Sequence, residues 1–302
     1  MTRLLLVITL FLAPLLTNAQ SWRYVRHEVN FGVGVSNFLG DLGGAKGIGT
    51  HYFKDLKARS TRPTITAGYK FMISPSWSVR SNFSWGYLHG DDAVTKNVIR
   101  NNRNLSFRSM IGEWVVLGEF YPWSERVSHR YKIRGIAGNR TFTINPYISV
   151  GVGMLFFNPK AEYNGQWVEL QPLRTEGQGN PGRPDPYKRV TVTMPIAVGA
   201  KYLITSQWSV GFELSVRYTG SDYIDDVSTT YYYPSSFTDP TAQDLQDRAL
   251  NPSLGWTGVE SKPNGLTNYM QRGNPKYNDA YMFAIFTVNY RFTQGQTYIP
   301  KF

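Results

Sequence analysis

The sequence predicts an all-β chain: an eight-stranded antiparallel transmembrane outer-membrane β-barrel with long extracellular loops. Three observations carry the prediction. The first residues read as an export signal, eight later segments alternate apolar and polar residues with period two, and the connections alternate between tight turns and long loops.

The opening "MTRLLLVITLFLAPLLTNAQ" has Arg3, an apolar run, and a small-residue exit with Thr17 and Ala19. It reads as a secretory signal over residues 1–19, cut before Gln20, with the barrel domain over 20–302. Its apolar run is too short for a spanning helix, and no later segment reaches the roughly 18 apolar residues that one needs. The chain has no cysteine, which excludes a disulfide framework and a lipid-acceptor thiol. Aromatics are 15% and charged residues only 18%, a balance that suits membrane-interface girdles better than a soluble enzyme. The formal charge of +11 falls by one without Arg3. After export, that basicity points to anionic lipid or an acidic protein rather than nucleic acid.

The strands follow in order. The first carries Val29, Phe31, Val33 and Val35, alternating with Glu28, Asn30, Gly32 and Gly34. The second carries Ile65, Ala67, Tyr69 and Phe71 against Thr64, Thr66, Gly68 and Lys70. The third runs Trp77, Val79, Phe83, Trp85 and Tyr87 against Ser78, Arg80, Asn82, Ser84 and Gly86. The fourth sets Trp114, Val116 and Phe120 against Glu113 and Glu119. The fifth sets Ile148, Val150, Val152, Met154 and Phe156 against Ser149, Gly151 and Gly153. The sixth has Met194, Ile196, Val198 and Tyr202 against Thr193, Ala197, Gly199 and Lys201, with Pro195 removing a ladder donor. The seventh, "WSVGFELSVRYTG" (208–220), alternates without a slip, and the eighth has Met282 to Phe292 against Thr287, Asn289 and Arg291.

About ten residues, tilted, cross a bilayer, and in lipid a sheet must close to pair every backbone group. An even count puts both termini on the periplasmic side. "ISPSW" (73–77) and "ITSQW" (204–208) are tight periplasmic turns. The segments 38–60, 91–104, 158–188 and 221–278 are long outer loops, and the connection 122–145 is long for a periplasmic turn. The interior of an eight-stranded barrel is just wide enough for side chains to fill. Glu28, Lys70, Arg80, Glu113, Glu119, Lys201, Glu213, Arg217 and Arg291 therefore point into a barrel-interior charge plug, where buried ions must pair.

Other constellations are weaker. His27, His51, His89 and His129 share no metal-ligand spacing. Ser84 and His89 with Asp91 or Asp92 offer the residue types of a hydrolytic site at the outer rim. An extracellular acidic cluster, Asp222, Asp225 and Asp226, offers hard oxygens to calcium or simply packs a loop. "GVGVSNFLGDLGG" (32–44) lacks the Lys-Ser/Thr of a phosphate loop. The turn "SERVSHRYKIR" is strongly basic: Arg126, Arg130, Lys132 and Arg134 suit anionic head groups or an acidic periplasmic partner. No cofactor, metal or catalytic residue is expected.

"FGVGVSNFLGDLGG", "SPSWSVRSNFSWGYLHGDD", "RNLSFRSMIGEW", "YISVGVGMLFFNPKA", "VELQPLRTEGQG" and "GSDYIDDVSTTYY" together resemble PorG-type outer-membrane barrels of the Bacteroidota type IX secretion system. The resemblance implies a non-enzymatic barrel that anchors or positions a type IX secretion or gliding assembly. Its implied partners are a periplasmic ring lipoprotein (PorK-like) and that lipoprotein's ring partner (PorN-like). The residues themselves leave open two alternatives. One is a surface-binding barrel that uses its long loops on a glycan or protein; the other is a lipid-modifying outer-membrane enzyme.

Overall fold

The computed structural model describes residues 26–42, 60–95, 97–123, 144–205, 207–254, 257–261 and 267–292. Eight long strands close an antiparallel barrel: β1 (His27–Leu39), β2 (Arg62–Met72), β3 (Trp77–Asp91), β4 (Ser106–Phe120), β5 (Ile144–Tyr163), β7 (Val190–Leu203), β8 (Trp208–Thr219) and β11 (Ala280–Phe292). Each pairs with its chain neighbour, and β1 pairs with β11 over its whole length, from His27 opposite Phe292 to Leu39 opposite Ala280. No edge of the barrel is left open, as a hydrocarbon environment demands.

Three short strands were not expected. β5 overruns the barrel and turns through Asn164, in the left-handed region at φ 50°, and Gly165, into β6 (Gln166–Glu169). Residues 158–169, expected as loop, are therefore largely a protruding hairpin. Strands β9 (Val259–Ser261) and β10 (Thr267–Tyr269) pair within the last long connection. Two short helices, α1 (Val98–Arg103) and α2 (Pro240–Gln246), lie in the same end of the molecule. Asn97 caps the first by accepting from the Ile99 and Arg100 amides, and Asp239 caps the second through the Thr241 amide.

The two tight turns share one mechanism. The Ser74 hydroxyl accepts from the Trp77 amide at 3.1 Å, and the Thr205 hydroxyl accepts from the Trp208 amide at 2.9 Å. In each turn a tryptophan begins the returning strand and packs at a tilt against a ring on a neighbouring strand: Trp77 against Phe120, Trp208 against Tyr290.

The predicted apolar faces point outward. Phe31, Phe83, Val150, Met194, Val198 and Phe286 are each more than half exposed. A belt of that size on a closed sheet has a lipid bilayer as its natural solvent. Pro195 points inward, and the β5–β7 ladder keeps its register across it but skips Gly151 and Val152. The skipped step is where the missing N–H would have paired.

Candidate functional site: the filled lumen and the loop cap

All nine predicted interior charges are buried. They are five cations and four carboxylates, and they pair across the barrel. Glu28 on β1 meets Lys201 of β7 at 2.5 Å, Lys70 of β2 at 2.9 Å and Arg291 of β11 at 3.2 Å. Glu119 of β4 meets Arg80 of β3 at 2.9 Å and accepts from Ser78 and Tyr121. Arg80 also reaches Glu213 of β8, which accepts from the Tyr147 hydroxyl at 2.8 Å. Gly199 permits that last bond: a Cβ there would stand 2.4 Å from the Tyr147 ring. A cavity of about 10 Å³ remains among Glu28, Asn30, Arg80 and Lys201, the space of about one water.

Higher in the lumen the chemistry changes. Arg217 donates to both oxygens of Glu113, at 3.0 and 2.9 Å, with its guanidinium 3.9 Å from the Phe283 ring centroid. Around and above that pair gathers an apolar cluster of inward side chains, Leu88, Phe107, Ile111, Leu155, Phe157, Phe283 and Ile285, with Tyr281 among them donating its hydroxyl to Glu113 at 2.8 Å. This second storey escaped the sequence reading. Its signal was present, because at the loop end of β5 and β11 both faces of the strand are rich in apolar residues.

The long connections fold down onto this apolar storey as a cap. Arg103, at the end of α1, grips Asp92 with Nε at 2.6 Å and Nη2 at 3.0 Å, and donates to the carbonyls of Asp41 and Arg272. Arg272 in turn binds Glu176 at 3.2 Å, the Asp226 carbonyl at 2.6 Å and the Gln246 carbonyl at 3.2 Å. Glu176 also accepts from the Ser228 and Thr229 amides. Two arginines thereby tie together segments from all four long connections. With Arg103 at 7% and Arg272 at 3% exposure and both carboxylate partners fully buried, such charge-assisted bonds are firmer than surface pairs.

The acidic cluster lies inside this cap rather than on a solvated loop, and its members part company. Asp226 accepts from Thr175 at 2.5 Å and Tyr187 at 2.7 Å, facing Arg272. Asp225 accepts from the Leu42 and Val227 amides, on the side of Asp41 and Asp279. Asp222 and Asp225 lie on the side of Asp41 and Asp279 while Asp226 faces Arg272, and among the described residues no group of three or more metal-ligating side chains that could hold a metal ion is found. Burial pushes Asp222 up to about 8 and Asp226 to about 6, the latter restrained by Arg272. Burial and neighbouring carboxylates also push Asp225 and Asp279 well above the usual carboxylate range.

The hydrolytic constellation does not assemble. Ser84 points into the lumen and bonds Thr66, whereas His89 points outward with Nδ1 2.8 Å from the Phe107 carbonyl oxygen. Asp91 caps the turn at Ala93, and Asp92 is held by Arg103. The odd spacing from 84 to 89 along one strand already placed the two side chains on opposite faces. Of the proposed periplasmic contact, Arg126, Arg130, Lys132 and Arg134 lie outside the described residues, as do the signal segment and residues 293–302.

A closed barrel with an apolar exterior, a side-chain-filled lumen and a clamped cap defines a small membrane-spanning β-barrel of the outer-membrane class. The chain belongs to the family described as a domain of unknown function (DUF6089), whose model matches residues 2–237. No curated protein sequence matches it. Among solved structures it is similar to the N-terminal β-barrel domain of Pseudomonas aeruginosa OprF, at 9% identity over 89% of this chain and 99% of that one, TM-score 0.35. It is also similar to Neisserial surface protein A, at 9% identity over 88% and 97%, TM-score 0.39. A third is OprG from Pseudomonas aeruginosa, at 8% identity over 89% and 97%, TM-score 0.38.

Proposed function

We propose that this barrel is a non-enzymatic outer-membrane anchor that positions a type IX secretion or gliding assembly by contacting a periplasmic ring lipoprotein and its ring partner. The observation that carries the reading is the filled lumen. Ion pairs occupy the lower storey and packed rings the upper one, so the work falls to surfaces rather than to a pore. The PorG-type resemblance supplies the assembly, and the basic segment with Arg126, Arg130, Lys132 and Arg134 supplies the contact. Short turns and termini face the periplasm in barrels of this kind. The test is co-purification of the tagged full chain from its native envelope in mild detergent. A ring lipoprotein should accompany the wild type in near-stoichiometric amount and be lost when the four basic residues become Glu. Equal recovery from both would remove the reading.

The clamped cap favours a second reading, a surface-binding barrel. Arg183 lies 4.7 Å from the ring centroids of both Tyr232 and Tyr269, which fixes an aromatic platform on the cap. Replacing Tyr232 and Tyr269 by Ser should then abolish binding on a glycan or surface-protein array while leaving the ring lipoprotein bound.

A further inference from the structure

The lipid-facing surface is not uniformly apolar. On β3, Trp77 and His89 are twelve residues apart on one face. At about 3.3 Å per residue that is about 40 Å along the strand. A tilt of about 40° leaves about 30 Å along the membrane normal, just beyond an apolar band about 25 Å tall. The level of His89 is therefore that of the head groups at the loop end.

Cations gather at that level. The strand register sets His89 opposite Arg108 and Arg108 opposite Lys160, so one lateral row crosses β3, β4 and β5. Arg108 lies 4.3 Å from the Tyr87 ring centroid and 5.6 Å from that of Trp167, so two aromatic rings hold its guanidinium at the barrel wall. Lys160 and Arg189 flank a single carboxylate, Glu169, at 3.2 and 2.9 Å. Arg248 reaches Ser106, one outward step above Arg108, at 3.4 Å. Arg108, Lys160, Arg189 and Arg248, with Arg62 close to Arg108, thus outnumber the acids at this level, which are Glu169, Asp91 beyond His89 and the more distal Glu162, and aromatic rings lie beneath them.

We propose that this patch binds the phosphorylated head group of an outer-leaflet lipid, its acyl chains lying on the belt below Tyr87 and Met110. The charge excess supplies the phosphate contact, and the guanidinium of Arg108 suits bidentate recognition. Continuity with the apolar belt selects a lipid over a soluble anion.

The test is native mass spectrometry of the full chain in a neutral detergent. The probes are diphosphoryl lipid A, phosphatidylcholine and inorganic phosphate. Wild type is expected to retain lipid A at least about tenfold better than phosphatidylcholine, with retention falling as salt rises. The R108Q/K160Q variant should lose that preference while binding phosphatidylcholine as before, and R108K should keep part of it. Equal retention of both lipids by wild type, or salt-independent retention, would overturn the proposal even if the variant failed to fold. So would a folded R108Q/K160Q barrel that keeps the full preference. Displacement of lipid A by inorganic phosphate at equal concentration would mark a soluble-anion site and overturn it too.

Discussion

Glu28 is the carboxylate on which the lower plug depends most. Glu28→Gln keeps its shape and removes its charge. Lys201 and Arg291, at 2.5 and 3.2 Å, then face a neutral amide, while Lys70 retains Glu119 at a longer 3.7 Å. Removing one partner of a buried pair typically costs about 3–5 kcal/mol. The partial compensation at Lys70 places the expected loss near the lower end, about 3 kcal/mol. The assay is urea unfolding of the barrel refolded into lipid vesicles, followed by tryptophan fluorescence. Trp77, Trp85, Trp114 and Trp208 on the outer face report the loss of lipid contact. A second variant, Glu28→Gln with Lys201→Met, removes both ends of the shortest pair. It should lose less than the sum of the two single changes, with a coupling of about 1–3 kcal/mol. A Glu28→Gln barrel within about 0.5 kcal/mol of wild type, the range of an inert surface change, would refute the claim that these pairs hold the lumen.

Three further outcomes follow from the same geometry. Gly199→Ala drives a methyl into the Tyr147 ring, so it should cost about 1–3 kcal/mol by overpacking, read in the same unfolding assay. Asp222 has its pKa raised from 3.8 to about 8, so the folded cap holds a proton there that the opened cap releases. Its contribution is full below about pH 4, declines as pH rises and is gone above about pH 8. Hydrogen exchange at residues 221–229, corrected for intrinsic rates, should therefore quicken from pH 6 to pH 8, and Asp222→Asn should flatten that dependence. In planar bilayers the wild-type chain should show no steady ohmic conductance, because its lumen is filled; stable channel openings would contradict the plug.

Much of this architecture is legible in the chain because a strand's period of two is local. The run from Trp208 to Thr219 fixes which residues meet lipid and which meet the lumen without any knowledge of its neighbours. Pro195 and the paired turns at 73–77 and 204–208 were equally readable. Other features were not. Nothing near Glu28 in sequence announces Lys201, 173 residues away, as its partner. Asp222, Asp225 and Asp226 read either as calcium ligands or as a loop-packing cluster, and the sequence did not choose; they pack inside a cap fastened by Arg103 and Arg272. Their burial depends on residues from other connections.

The sequence by itself determined the eight barrel strands, their inward and outward faces, and the closed form that lipid imposes on an exposed backbone. Only the tertiary structure decided how the charges pair, where the lumen turns from ionic to apolar, and which cations gather at the lipid boundary. The reason is the range of the interactions. Backbone periodicity is set by adjacent residues, whereas a buried charge finds its counter-ion through space, across strands whose register no single segment encodes.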